Sequence, residues 1–518
     1  MQGISYFCLK TIALVIEYTP ASQLTIEGFD SPFEKELSKN NRWVKLASVI
    51  PWDSLAVEYG KQLNAHFGRK SVDIRMVIGA IIVKHKLGLS DRETVATISE
   101  NIYLQYFCGL KSFQIDLPFD SSLFVSIRKR LGKSSFDEWN KRVIESADSM
   151  KPPKAKNITA SGKNQDDTIH KNKGRLIVDA TVADQEIVYP TDATLLNRAR
   201  LESERLIDFL YKQSEKRKPR TYRRKARTEF LVFSKKRRKS GKQIRKFIGK
   251  QIRYIKRNLN HIELLLNEIA QKSDNFPLSP RDQKIYWVLQ LIHAQQTEMY
   301  ETKTKRVSNR VVNIYQPYVR PIVRGKDKVN VEFGAKINIS LVDGMVRINT
   351  LSWEAYNESQ MLIAQVEEYK EFYGHYPDLV LADQIYLTRR NRKWLKEKGI
   401  RISGKPLGRP KKEKQSAYEK RKQKKERNQR NLVEAKFGQG KKAYGLKNIQ
   451  AKRKDTSESW INSIFFVMNL VTLMKVVEKY AFFYNYRKNR VLLNLFSKTW
   501  DIINCFLVRK TCDISKLY

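Results

Sequence analysis

The spacing of apolar residues changes character several times along this chain. In residues 71–109, Val72, Met76, Ile78, Ile81 and Ile82 recur at helical spacing until Gly88 breaks the pattern. Ser90 and Glu93 then have the capping-box form, in which each side chain satisfies a free amide of a first turn, and Val95 and Ile98 continue the apolar face. Residues 71–101 therefore read as helix, short glycine-containing turn, helix. Such a unit sets a helix into a DNA major groove, and it is equally the commonest way to build a helical bundle. Residues 151–173, rich in Lys, Asn, Ser and Asp with no apolar period, read as a linker, so the next domain is expected to start near Gly174.

There the pattern turns to β-branched residues. Arg175 to Val182, Arg-Leu-Ile-Val-Asp-Ala-Thr-Val, reads as a buried strand ending at an acid, with residues 186–189 as its hairpin partner. From Thr194 to Met299 the period is helical and the charge strongly basic between Lys212 and Arg257, which predicts a helical insertion. Within it Ile244, Phe247, Ile248, Ile252, Ile255 and Leu259 form one apolar stripe, while Arg245, Lys246, Lys250, Arg253 and Lys256 occupy other faces. One side packs and the other stays cationic, which favours contact with phosphates. Strand signals return over residues 329–352, where Asp343-Gly344 between alternating segments marks a hairpin turn. Residues 358–372 then read as a helix and 378–382, Asp-Leu-Val-Leu-Ala, as a second buried strand running into Asp383. This alternation indicates an α/β domain.

Composition adds a partner. At 518 residues the chain exceeds what one core organises, so two or three domains are expected, and 41% apolar residues support globular folding. Lys and Arg number 99 against 54 Asp and Glu, a net charge of +45 that a compact chain tolerates best beside nucleic acid. Cys8, Cys108, Cys505 and Cys512 form no Cys-x-x-Cys pair and the six histidines no ligand cluster, so neither a zinc site nor a disulfide framework is expected. That usage fits a reducing cytoplasm. Two apolar stretches, residues 4–16 and 461–477, are poor membrane candidates. The first holds Lys10 without a following cleavage site, and the second is shorter than the roughly 20 residues of a span and contains Asn469 and Lys475. A buried terminal helix is the simpler reading.

The candidate chemistry lies in three carboxylates. Asp179 and Asp383 each follow a short apolar run, which puts both at or near strand ends, where open α/β sheets bind their ligands. Phosphodiester chemistry needs such a cluster, because two divalent ions about 4 Å apart activate the attacking oxygen and neutralise the leaving one, and hard cations demand carboxylate oxygens. After a basic loop over residues 411–427, residues 430–437 have helical propensity and offer Glu434 as the third acid. Arg430 and Lys441 share its helix face if the helix persists through Gly438 and Gly440, although an ordinary surface Arg–Glu pair has the same spacing. Within residues 407–412 a Gly-Arg-Pro core offers Arg409 to an A·T-rich minor groove, against the plainer reading of a flexible basic loop.

Taken together these residues resemble the bacterial insertion-sequence transposases of the DDE class, in particular the group typified by insertion sequence five. Residues 79–131, including Gly-Leu-Ser-Asp-Arg-Glu, look like that group's N-terminal helical domain. Leu-Ile-Val-Asp-Ala-Thr-Val carries its first acid, Asp179, and residues 189–200 look typical of it. Residues 316–326 and 331–336 are similar to stretches of a long-insertion branch. Leu-Ala-Asp-Gln-Ile-Tyr supplies Asp383, and Val-Glu-Ala-Lys-Phe-Gly-Gln-Gly-Lys-Lys-Ala-Tyr-Gly-Leu supplies Glu434. The group's Tyr, Arg, Glu, Lys signature is met at Arg430, Glu434 and Lys441, while its tyrosine position holds Arg427.

The resemblance implies an α/β, ribonuclease H-like catalytic core over residues 174–480 with a basic helical insertion at 194–300. An all-α DNA-binding domain over 1–150 would precede it and a helical tail over 481–518 would follow. It further implies two Mg²⁺ or Mn²⁺ ions held by Asp179, Asp383 and Glu434, and a homodimer assembled on paired terminal inverted repeats. Cleavage there would free a 3′-hydroxyl that attacks target DNA. DNA contacts fall to Arg430, Lys441, Arg245, Lys250, Arg253 and Arg409. Two other readings stay open: an end-binding protein without catalysis, and a nuclease that hydrolyses without joining.

Overall fold

Local capping signals set the first elements of the chain. The computed structural model describes residues 18, 20, 37–64, 70–150, 172–215, 217–272, 275–323, 331–404 and 416–480. Residues 4–16, most of the expected linker, Arg409 and the expected tail lie outside the described residues. The chain divides into two compact units: residues 1–170, 343–347 and 462–518 make one, and residues 171–342 and 348–461 the other.

Up to residue 150 the described elements of the first unit are helices: α1 (Arg42–Val49), α2 (Trp52–Gly60), α3 (Ile74–Leu87), α4 (Asp91–Glu100), α5 (Ile102–Phe107), α6 (Leu123–Arg130) and α7 (Lys133–Ser149). Asp73 accepts the amides of Arg75 and Met76 to open α3, and Gly88 closes it at φ 70°, a left-handed conformation that costs glycine nothing. The expected capping box between Ser90 and Glu93 opens α4. The helix-turn-helix pattern of residues 71–101 thus forms as read.

α3 is buried on more than one face, Lys84 included. The Lys84 ammonium meets Asp91 at 2.9 Å, and Arg128 grips the same carboxylate with both terminal nitrogens at 2.9 and 2.6 Å. Burial works against ionisation of Asp91, but the Arg128 hydrogen bonds and the Lys84 charge outweigh it and hold the carboxyl below its usual range. Asp91→Asn leaves two cations without their counter-charge and is expected to cost about 3 kcal/mol in urea unfolding at neutral pH. Because the folded state depresses this titration, the stabilisation is present above the ordinary carboxylate range and fades as pH falls through the lowered value. Equal urea midpoints for variant and parent at neutral pH would contradict the assignment.

In the second unit the elements are β1 (Arg175–Asp184), α8 (Asp192–Tyr211), α9 (Arg223–Lys235), α10 (Gly241–Ala270), α11 (Pro280–Glu301), β2 (Arg320–Val323) and β3 (Val331–Val342). They are followed by β4 (Met345–Ser352), which belongs to this unit from Ile348 onward, α12 (Leu362–Tyr373), β5 (Leu379–Leu381), α13 (Arg389–Glu397), β6 (Arg401–Ile402) and α14 (Ala417–Ala443). The sheet order is β2-β3-β1-β5-β6, with β4 also paired to β3. β1 is antiparallel to β3 and parallel to β5, and β5 is parallel to β6. Asp343 and Gly344 turn the β3–β4 hairpin with φ of 49° and 86°, the positive values that an Asp-Gly turn serves. The chain is mixed α/β, as expected.

Three local readings need correction. Residues 186–189 form no hairpin: the end of β1 is met instead by Ile449, which bridges Gln185 and bonds the backbone of Asp184 and Glu186. The helix expected from Glu358 begins with a 3-10 turn over Glu358–Gln360, and α12 proper starts at Leu362. The stripe on α10 starts at Phe247, since Ile244 is exposed.

Alternate residues of β1 and β5 build one core: Leu176, Val178, Val380 and Ala382 pack with Leu362 and Val366 of α12 and Leu395 of α13. The insertion α8–α11 has its own core, in which Leu196 and Ile207 meet Ile255, Ile262, Leu289 and Ile292. Polar links tie its helices together: Asn258 donates to Ser203 at 2.8 Å, Gln296 to Asp192 at 2.9 Å, and Arg205 to Asp282 at 2.6 Å. A last helix, α15 (Lys454–Tyr480), is long and apolar enough to cross a membrane by length and composition, yet 72% of its apolar window is buried inside the protein. Phe466 packs against Phe136 and Trp139, and the buried Asn469 side chain bonds Asn140 and both backbone groups of Val346. These contacts are those of a core helix.

Candidate active site

The sheet register brings the two aspartates together. β1 and β5 run parallel with Arg175 beside Leu379 and Ile177 beside Leu381. Asp179 and Asp383 each lie two residues beyond the last of these pairs, and they are near enough for the charge of Asp383 to act on Asp179. Asp179 is not at the end of its strand, as the sequence pattern suggested, but in the middle of it, because Thr181, Val182 and Ala183 continue the ladder with β3. Asp383 does follow the end of β5, where it caps the 3-10 turn Gln384–Tyr386. Each aspartate spends one oxygen in the same way, on the amide of the next residue: Ala180 N donates to Asp179 at 2.8 Å and Gln384 N to Asp383 at 2.7 Å.

The environments of the two differ. Asp179 is largely buried and its carboxyl is pushed up to about 6, first by desolvation and then by the negative charges of Glu358 and Asp383; the Ala180 amide and Arg430 oppose the rise. Asp383 is more than half exposed. Glu358 is a carboxylate that the sequence reading passed over, since it follows no apolar run. It is held by an ion pair of 2.9 Å to Lys336 on β3, both side chains being mostly buried.

α14 carries Glu434, the third candidate acid. Val433, Phe437 and Gly440 are its buried residues, one stripe that packs against β1 and β5. The helix runs unbroken through Gly438 and Gly440, as Glu434 and Lys441 required in order to share it. Arg430 reaches Glu434 at 3.0 Å and Asp383 at 3.9 Å, so one guanidinium serves two of the candidate acids. Lys441 does not join them: it lies 3.6 Å from Glu332 and 4.0 Å from Asp184, farther along the sheet. Among the described residues no group of three or more His, Cys, Asp and Glu side chains stands ready to hold one metal ion. The acids are instead linked in pairs, Asp179 with Asp383 through their mutual repulsion and Asp383 with Glu434 through Arg430.

The cations picked out on the insertion have separate fates. Arg245 lies over the Tyr300 ring at 4.2 Å from its centre, Lys250 pairs with Glu229 at 2.7 Å, and Arg253 is exposed. The segment read as a basic loop is helical from Ala417 onward and belongs to α14. Its helical start was announced by Ser416 and Glu419, which form a capping box.

Comparison with known proteins gives the chain two family matches. Residues 380–471, which include Asp383 and Glu434, are similar to the family described as "Transposase DDE domain", and residues 31–130 to one described as "Transposase domain". The chain is also 33% identical over 156 residues to an uncharacterized protein of Rhizobium meliloti, ORF8 in the nfe locus, a match that covers 30% of this chain and 68% of the relative. No solved structure matches.

Proposed function

The chain is an insertion-sequence transposase of the DDE class, and from that premise we propose that Asp179, Asp383 and Glu434 are the carboxylates with which it cuts transposon ends and joins them to target DNA. One observation carries the proposal: Asp383 follows β5, the parallel neighbour of the strand that holds Asp179, and its charge acts on Asp179, while α14, packed on the same strands, ties Glu434 to Asp383 through Arg430. The strand order and directions support a ribonuclease H-like core within residues 174–480, with α8–α11 as an insertion after its first strand. The helices described up to residue 150 would bind the ends, and two copies would meet on paired ends.

The donor set fits Mg²⁺ or Mn²⁺. All three groups offer hard oxygens, and the cost of ionising Asp179, set by desolvation and then by the charges of Glu358 and Asp383, is what a divalent cation relieves. When bound, two such ions activate an attacking oxygen and neutralise a leaving one. Asp179 and Asp383 would hold them, and Glu434 would complete the second site. Arg430, the shared counter-charge of Asp383 and Glu434, would orient the scissile phosphate. Water attack at the element's end frees a 3′-hydroxyl, and that hydroxyl is the nucleophile toward target DNA.

The test is an incubation of the full chain with duplex ending in the element's own inverted repeat and a plasmid target, with Mg²⁺, Mn²⁺ or chelator. Nicked 3′-hydroxyl ends and covalent joints, both lost with chelator, are expected. Nicks without joints would assign the chain to hydrolysis alone. Salt-sensitive binding with no nick even in Mn²⁺ would assign it to end-binding without catalysis.

A further inference from the structure

We propose that the amino-terminal half of α14, residues 417–432, is a duplex-binding rod that grips the phosphate backbone beside the cut. Its position beside the cut rests on the carboxylate assignment above; its affinity for duplex does not. No side chain of α14 is buried before Val433. Lys420, Arg421, Lys422, Lys424, Lys425 and Arg427 are all exposed, and among the described residues none of them forms an ion pair. Two acids interrupt this run and both are engaged: Glu419 in the capping box with Ser416, and Glu426 in an ion pair with Arg401. The surface left over is a broad cationic face, and Glu419, Gln423 and Glu426 fill the remaining side of the helix.

A helix polar all round gains nothing from packing, and like charges one turn apart, as at Lys420 and Lys424 or Arg421 and Lys425, weaken it further. A polyanion reverses the sign of that term. The rod is about 24 Å long at 1.5 Å per residue and so matches roughly seven base pairs of duplex at 3.4 Å each. Arg421, Lys424, Lys425, Asn428, Gln429 and Leu432 share one open flank of the helix, where two amides accompany the cations as donors for phosphate and sugar oxygens. The same helix then delivers Arg430 and Glu434 within two turns. Duplex laid along the rod is therefore led to the carboxylates.

The experiment measures binding of full-length protein to a labelled duplex of arbitrary sequence over a range of salt concentrations, by fluorescence anisotropy. In the combined variant Lys420→Gln, Lys424→Gln and Arg427→Gln, the slope of log affinity against log salt is expected to shrink by about 2 to 3 and affinity near physiological salt to fall on the order of 100-fold. Far-UV circular dichroism should show the helix retained, since Gln is a good helix former. The charge-keeping variant Lys420→Arg, Lys424→Arg and Arg427→Lys should bind like the parent. An unchanged salt slope in the Gln variant overturns the inference, as does a loss confined to RNA or to self-association. Asp179→Asn separates this from the carboxylate reading: if that variant fails to cut while the Gln variant keeps its slope, only the rod is wrong.

Discussion

Asp179→Asn is expected to lower strand cleavage by at least about a thousandfold, the scale on which losing a central metal-binding carboxylate acts, and at the same time to raise the melting temperature of the metal-free protein at neutral pH. The two effects share one cause. Desolvation, reinforced by Glu358 and Asp383, makes the ionised carboxylate costly, which is why its protonation is pushed up to about 6. The folded value lies above the unfolded one near 4, so the cost is absent below about pH 4, builds up to about pH 6 and is complete at neutral pH. Asparagine keeps the shape and can still accept the Ala180 amide, but carries no charge to desolvate. The expected gain is about 2 kcal/mol at neutral pH, shrinking toward zero at acid pH. Calorimetry of both proteins in chelator, paired with a nicking assay in Mn²⁺, reads both signs. A variant that cuts normally, or that melts below the parent at neutral pH, would remove Asp179 from the site.

Gly334→Ala is expected to be the most damaging single-methyl change in the second unit. Gly334 lies in β3 opposite Asp184 of β1 and Arg320 of β2, hydrogen-bonded strands on either side of it. A Cβ built on it would land on the carbonyl oxygen of Ala183, a backbone atom that cannot swing aside as a side chain would. The strands would have to part, at an expected cost of at least about 4 kcal/mol, the range reserved for backbone conflicts in a packed core. Because β1 carries Asp179, cleavage should fall together with stability. Thermal melting and limited proteolysis of the purified variant decide the matter, and a melting temperature within about 2 °C of the parent would show that the strands give way cheaply.

How much of this was readable beforehand depended on the range of the interactions. α3, the Gly88 break and α4 could be read because Asp73, Ser90 and Glu93 cap helices from their own sequence neighbourhood. The Asp343-Gly344 turn is likewise local. Asp179 was recognisable as a candidate, but its place in the strand was not: an acid inside an apolar run looks like a terminus unless it is known that β3 goes on pairing with β1 beyond it. The rod in α14 was missed for the opposite reason, since dense charge erases the apolar period on which helix recognition relies, even though the capping pair at Ser416 and Glu419 was in plain view. Lys441 was grouped with Glu434 by helical spacing alone. Its actual partners, Asp184 and Glu332, come from distant parts of the chain, and no spacing rule connects them.

The polar links across the insertion bear on how it can move. Leucine and isoleucine contacts between α8, α10 and α11 are interchangeable, and by themselves would let one helix slip past another by a turn at modest cost. The Asn258 to Ser203, Gln296 to Asp192 and Arg205 to Asp282 bonds are not interchangeable, because a slip separates each donor from the acceptor it meets on the facing helix. They act as dowels in an otherwise smooth joint. A load applied to the basic flank of α10 would accordingly be transmitted through the bundle as a whole, with the helices turning together instead of sliding.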